Sequence, residues 1–170
     1  MRDSELFTAV IEKALTAGAT VRFRAEGTSM HPTIRDGESI SIAAVSPARV
    51  VRGDVLLCRH DTRVLAHRVV GVTMHDTGRV FELRGDAKAA CDMPVGADAV
   101  VGQVIAVQRN GRMIGLCGRA ARLRYTARTA ASRAKRSTKS FAVSTANLSP
   151  WRDLFSSVEA ASVGRWFGGV

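Results

Sequence analysis

Cysteine is scarce in this chain. Its 170 residues include Cys58, Cys91 and Cys117, an odd number at wide spacing. That pattern excludes a disulfide framework and matches no zinc-ligand spacing, which leaves three reduced thiols. The expected chemistry uses neither a metal nor a cofactor. A run of eighteen apolar residues is also missing, so no transmembrane helix is expected. The start, Met1-Arg2-Asp3-Ser4-Glu5, is charged and lacks the apolar core of a secretory signal. The expectation is a cytoplasmic protein. Acidic residues are absent between 112 and 140, while nine Lys or Arg residues fall there, from Arg112 to Lys139. They account for nearly all of the net charge of +10, so the basicity belongs to one segment and the remainder is close to neutral. Tyr125 is the one aromatic in that segment. Without interleaved aromatics or a reading motif, specific recognition of nucleic acid is not expected. Peripheral contact with an anionic membrane through Arg119–Lys139 is a second possibility, at about 1 kcal/mol per basic residue near such a surface.

The composition is otherwise that of a globular domain, with 46% hydrophobic residues. A chain of about 150 residues buries roughly 70% of its unfolded surface and needs no covalent staple. Residues 1–19 read as an amphipathic helix. Asp3 or Ser4 can cap it, Leu6, Phe7, Val10, Ile11, Ala14 and Leu15 recur at helical spacing, and Gly18 can end it. Residues 20–118 read as a β domain. Val21, Phe23 and Ala25 alternate with arginines, and Ser39-Ile40-Ser41-Ile42 alternates as well. Runs at 54–58 and 63–70 flank a hairpin turn at His60-Asp61-Thr62, and further strands are expected at Val80–Leu83 and Val100–Val107. Many short strands with regular turns indicate a coiled, barrel-like sheet. Residues 119–170 form a basic Ala/Arg-rich extension. Its first part is a basic helix or a linker, and a last helix is expected from about Pro150, capped by Ser149.

The chemistry concentrates in a few positions. Ser29 lies in Gly27-Thr28-Ser29-Met30-His31-Pro32-Thr33-Ile34, and His67 lies in Ala66-His67-Arg68-Val69-Val70-Gly71. A serine hydroxyl attacks poorly until a base removes its proton, and histidine is the usual base near neutrality. Two acids follow, Asp86 and Asp92, in Gly85-Asp86-Ala87-Lys88-Ala89-Ala90-Cys91-Asp92. Nucleophile, base and acid are the components of a Ser-His-Asp site, which is defined by geometry and not by order. His31, His60 and His75 stand in no such sequence pattern and read as surface residues. Asp54, Asp61, Pro32 and Gly53 read as turn formers.

Ser-Met-x-Pro-Thr at Ser29–Thr33, Gly53-Asp54-Val55, His67-Arg68-Val69-Val70-Gly71 and Gly85-Asp86 through Asp92 occur in the order seen in type I signal peptidases. The chain resembles the serine–histidine branch of that family over about residues 20 to 108. The resemblance implies the β-rich fold that signal peptidases share with self-cleaving LexA-type repressors. It implies endoproteolysis of a peptide or protein substrate after a small residue, with Ser29 as nucleophile and His67 as base. It implies Asp92 as the acid on His67, with Asp86 supporting the site from its turn. Thr28 and the backbone N–H of Ser29 would face the oxyanion, and Met30 and Ile34 would line the edge that takes an extended substrate.

The chain departs from the membrane-bound members by having a short amphipathic helix where they carry an anchor. Two other functions are compatible with the residues. One is a LexA-like self-cleaving regulator, with Ala17-Gly18 as the cut site. The other is a catalytically inactive module that uses its basic segment to bind membrane or nucleic acid.

Overall fold

In a computed structural model, residues 2–60, 63–76 and 78–130 are described. The amphipathic pattern near the start becomes helix α1 (Arg2–Thr16). It begins at Arg2, ahead of the expected cap at Asp3 or Ser4, whose side chains lie outside the described ones. Ile11 and Leu15, four residues apart, are buried in the main core. Phe7 is partly exposed and meets Phe23 edge to face, with ring centroids 5.2 Å apart. The helix closes at Gly18, where φ is +79°. The Ala19 N–H donates to the Ala14 carbonyl and the Gly18 N–H to that of Leu15. This left-handed closure suits glycine, which has no Cβ to clash.

Eight strands follow: β1 (Val21–Arg24), β2 (Ser39–Ala43), β3 (Val55–His60), β4 (Arg63–His75), β5 (Gly78–Arg84), β6 (Val95–Gly96), β7 (Val100–Arg109) and β8 (Arg112–Gly115). Every pairing is antiparallel, in the order β1-β2-β7-β3-β4-β5-β6, with β8 on β7. The architecture is therefore mainly β, a coiled sheet with an N-terminal helix. Among the described residues the sheet does not close, so the barrel-like expectation holds for its curl and not for closure. Register shifts at Ser41/Ile42, Leu57/Cys58 and Val69/Gly71 mark bulges, which increase local twist and bend the sheet.

The expected hairpin between 58 and 63 is present, with His60 paired to Arg63. Strand β8 was not expected. The Asn110-Gly111 turn that starts it has positive φ at both residues, +49° and +74°, as the tightest hairpin turns require. Strand β3 explains the unbroken apolar run at 55–58. Val55 and Leu57 enter one core cluster with α1, while Leu56 and Cys58 enter a second with Phe81 and Leu83. Period-two alternation thus fills both faces.

The chain is helical again from 118 to 130, where description stops. The helix expected from Pro150 lies outside the described residues. Residues through Thr126 belong to one compact unit with the sheet. Among the described residues no helix is long and apolar enough to cross a membrane.

Burial removes the Cys58 thiol from solvent and pushes it up to about 12, whereas Cys91 and Cys117 are exposed. Alkylation of the native protein at neutral pH should modify two thiols promptly and Cys58 only after denaturation. Prompt reaction at Cys58, read by peptide mapping, would contradict this burial.

Candidate active site

The site forms where β4 passes from one neighbour to the other. Residues 63–68 of β4 pair with β3, and the stretch from 68 to 75 pairs with β5. Arg68 is flanked on both sides, by Val55 and by Arg84. Because β5 stops at Arg84, the segment that follows, Gly85–Asp92, runs on past the position of His67. A hydrogen bond from the Asp92 N–H to the Leu83 carbonyl (2.8 Å) brings that segment back to the sheet.

Ser29 reaches the same place from the turn between β1 and β2. Gly27, at φ +93°, donates its N–H to Asp36 Oδ1 at 2.7 Å, and the His31 and Ile34 N–H groups bond to the Thr28 and Met30 carbonyls. Met30 and Ile34 pin this turn to the core, at 4% and 3% exposure. The structure thus places both residues, expected along the substrate edge, with their side chains in the core. Two large apolar side chains four positions apart gain more by burial than by lining an open edge. Thr28 is exposed beside Ser29. The Ser29 backbone N–H has no protein acceptor among the described residues.

His67, at 2% exposure, lies between these two segments. Its Nε2 is 3.0 Å from Ser29 Oγ, and its Nδ1 bonds to Asp92 Oδ2. The arrangement suits a neutral ring that donates through Nδ1–H to Asp92 and accepts the Ser29 O–H at Nε2. Ser29, His67 and Asp92 are therefore brought together as the sequence pattern expects. Asp86 stands differently. It bonds to Arg68 and Thr33, and so braces the serine turn without touching the imidazole.

Burial holds His67 below the ordinary histidine value and outweighs the upward pull of the Asp92 carboxylate. Burial alone would raise Asp92, but hydrogen bonds from Lys88 and His67, together with their charges, leave it below the usual aspartate value. Lys88 Nζ is 3.1 Å from Asp92 Oδ1. The result is a neutral base beside an ionised acid.

Several supporting residues were missed in the sequence. A Cβ on Gly85 would lie 2.6 Å from the Ser29 carbonyl oxygen, so only glycine lets the acid-bearing turn approach the serine backbone. Across that contact the Ala87 N–H donates to the Ser29 carbonyl at 2.9 Å. Arg68, next to His67, donates to both Asp86 oxygens at 2.7 Å and to the Gly53 carbonyl at 2.8 Å. From the other side Arg109 pairs with Glu38 and donates to the Pro32 and Thr33 carbonyls. Lys88 was visible as a cation four residues before an acid. The arginine contacts span up to 77 residues and left no local signal. A separate cavity of about 310 Å³, lined by Ser46, Arg49, Gln103 and Arg122 among others, does not include Ser29, His67 or Asp92.

The neutrality of folded His67 has a consequence for stability. Unfolded, the ring titrates at about 6.5. Folded, it titrates lower, so the unfolded chain binds more protons between the two values. The stabilisation is complete above about pH 6.5 and is lost as pH falls from there through the folded value. Urea midpoints should fall on acidification from about pH 7.5 to 5, and fall less in His67→Gln. Equal losses in the two proteins would refute the assignment.

No protein-family model matches the chain, and no curated protein matches it.

Proposed function

We propose that this protein is a serine endopeptidase that cleaves an extended peptide by acyl transfer through Ser29, His67 and Asp92. The observation that carries the proposal is the 3.0 Å approach of Ser29 Oγ to the Nε2 of a buried histidine whose other nitrogen is held by an aspartate. Ser29 Oγ attacks the substrate carbonyl carbon while its proton passes to His67 Nε2. The resulting oxyanion accepts hydrogen bonds from the Ser29 N–H and the Thr28 hydroxyl, where each donor is worth about 2.7–4 kcal/mol. As the C–N bond breaks, His67 returns the proton to the departing amine. A water, deprotonated by the same nitrogen, then attacks the acyl carbon, and His67 returns that proton to Ser29 Oγ as the ester C–O bond breaks. Asp92 holds the ring orientation and stabilises the imidazolium formed at each transfer, and Lys88 keeps Asp92 ionised. General acid–base transfer by His67 contributes on the order of 10²–10⁴ in rate.

The similarity of the four sequence boxes to type I signal peptidases supports a cut after a small residue. On that reading the chain is a member without an anchor within the described residues, acting in the cytoplasm on a dedicated peptide or protein. Its basic extension would rest on anionic lipid. Self-cleavage at Ala17-Gly18 is disfavoured, because that bond lies inside the hydrogen-bonded closure of α1 and is not extended.

A fluorophosphonate probe tests the proposal. Wild-type protein should be acylated at Ser29, while Ser29→Ala and His67→Gln should not. The labelling rate should fall on the acid side of about pH 6.5 as His67 gains a proton. Peptides with a small residue before the cut should be cleaved with the same dependence. Wild-type protein as inert as Ser29→Ala in both assays would end the peptidase reading.

A further inference from the structure

The helix that begins at 118 has no part in the proposed chemistry, yet its inner face touches the buried charges that brace the site. The ring of Tyr125 lies against Arg68, with the guanidinium carbon over it at 4.2 Å from the ring centroid. Arg68 is 3% exposed, and its guanidinium already holds Asp86, Thr33 and the Gly53 carbonyl. One turn earlier, Arg122 Nε donates to Asp54 Oδ1 at 2.9 Å, and Asp54 is 1% exposed. Asp54 also accepts the Val69 N–H at its backbone carbonyl (2.8 Å), and the Gly53 N–H donates to the Val69 carbonyl (2.8 Å). The Gly53-Asp54 turn is thus bonded to the residue after Arg68. Gly53 adopts φ +98°, and a Cβ there would meet Arg122 Cγ at 3.2 Å, so the bare turn lets the helix approach.

We infer that residues 118–126 form a positioning strap for the active site, with Tyr125 acting through Arg68 and Arg122 acting through Asp54. The guanidinium is held from two directions. Its N–H groups are fixed by the carboxylate of the turn that abuts Ser29, and the ring of Tyr125 lies against its central carbon. Cation–π attraction across a desolvated contact restrains the guanidinium, and its position sets where both Asp86 oxygens sit. Asp86 in turn holds Thr33 in the serine turn, while its own turn meets the Ser29 backbone through Gly85 and Ala87. Displacement of the ring therefore shifts the serine turn relative to His67. A misplacement of about 1 Å can cost on the order of 10²-fold in rate. The strap needs the aromatic ring of Tyr125 and the forked donor of Arg122.

The test compares full-length wild type with Tyr125→Leu, Tyr125→Phe and Arg122→Gln. It reads the fluorophosphonate labelling rate of Ser29 and the ¹⁵N shifts of the His67 ring. Tyr125→Leu and Arg122→Gln should slow labelling by about 10- to 100-fold and move the His67 signals. Tyr125→Phe keeps the ring and should match wild type in both, which a general loss of packing would not produce. If Tyr125→Leu folds poorly, Arg122→Gln and Tyr125→Phe carry the comparison. Folded Tyr125→Leu or Arg122→Gln with wild-type labelling and unmoved His67 signals would overturn the strap. The rate arm rests on the peptidase reading. Should wild type itself resist labelling, that reading falls, and the His67 signals alone decide whether the strap exists.

Discussion

One buried guanidinium ties this structure together. Arg68 occupies the position where β4 has a strand on each side, and its side chain bonds to three other segments: the Gly53 turn, the serine turn at Thr33 and the acid-bearing turn at Asp86. His67 precedes it on the strand, so its side chain leaves the opposite face of β4. The same few residues of backbone therefore carry the imidazole on one face and its brace on the other. Breaking a buried ion pair of this kind by removing one partner costs about 3–5 kcal/mol, because the other charge is left without compensation. Arg68 and Asp86, at 4% and 8% side-chain exposure, meet that description.

Such pairs add less net stability than their close contacts suggest, since both charges were first taken out of water. What they provide here is position. Three arginines from distant parts of the chain converge on the turns around Ser29 and His67. Arg68 comes from β4, Arg109 from the end of β7 and Arg122 from the helix beyond β8. Each donates to a carboxylate, and Arg68 and Arg109 also reach backbone carbonyls in loops that lack ladder partners of their own. Loops carrying proposed catalytic groups are thereby held by charge-assisted hydrogen bonds where the sheet cannot hold them. The apolar contribution is complementary. Met30 and Ile34 anchor the serine turn from below, so Ser29 is fixed between a hydrophobic underside and an ionic rim.

Much of this was legible in the residues. Alternation located β1 and β2, because a half-buried strand must place apolar groups at period two, and short apolar runs between turn signals located β3, β4, β5 and β7. The Gly18 closure and the 60–63 hairpin were legible as turn chemistry. The trio Ser29, His67 and Asp92 was legible as an ordered set of boxes. Other features were not. Strand β6 is two residues long and too short for any period to show, and β8 is mostly exposed. The burial of Met30 and Ile34 was not legible, because a short turn has no periodicity to say which side faces the core. Asp54 read as a plain turn former, and its burial against Arg122 depends on a contact 68 residues away. The same holds for Tyr125 on Arg68. The first part of the basic segment is ambiguous between helix and linker in the sequence, because its charges mask the inner stripe formed by Ala121, Arg122 and Tyr125.

The most direct measurement is a crystal structure of the protein after reaction with a serine-directed phosphonate. The account predicts phosphorus bonded to Ser29 Oγ, a phosphoryl oxygen facing the Ser29 N–H, and His67 Nε2 within hydrogen-bonding distance of the adduct with Nδ1 still on Asp92. An unmodified Ser29, with the His67 ring turned away from both Ser29 and Asp92, would contradict it.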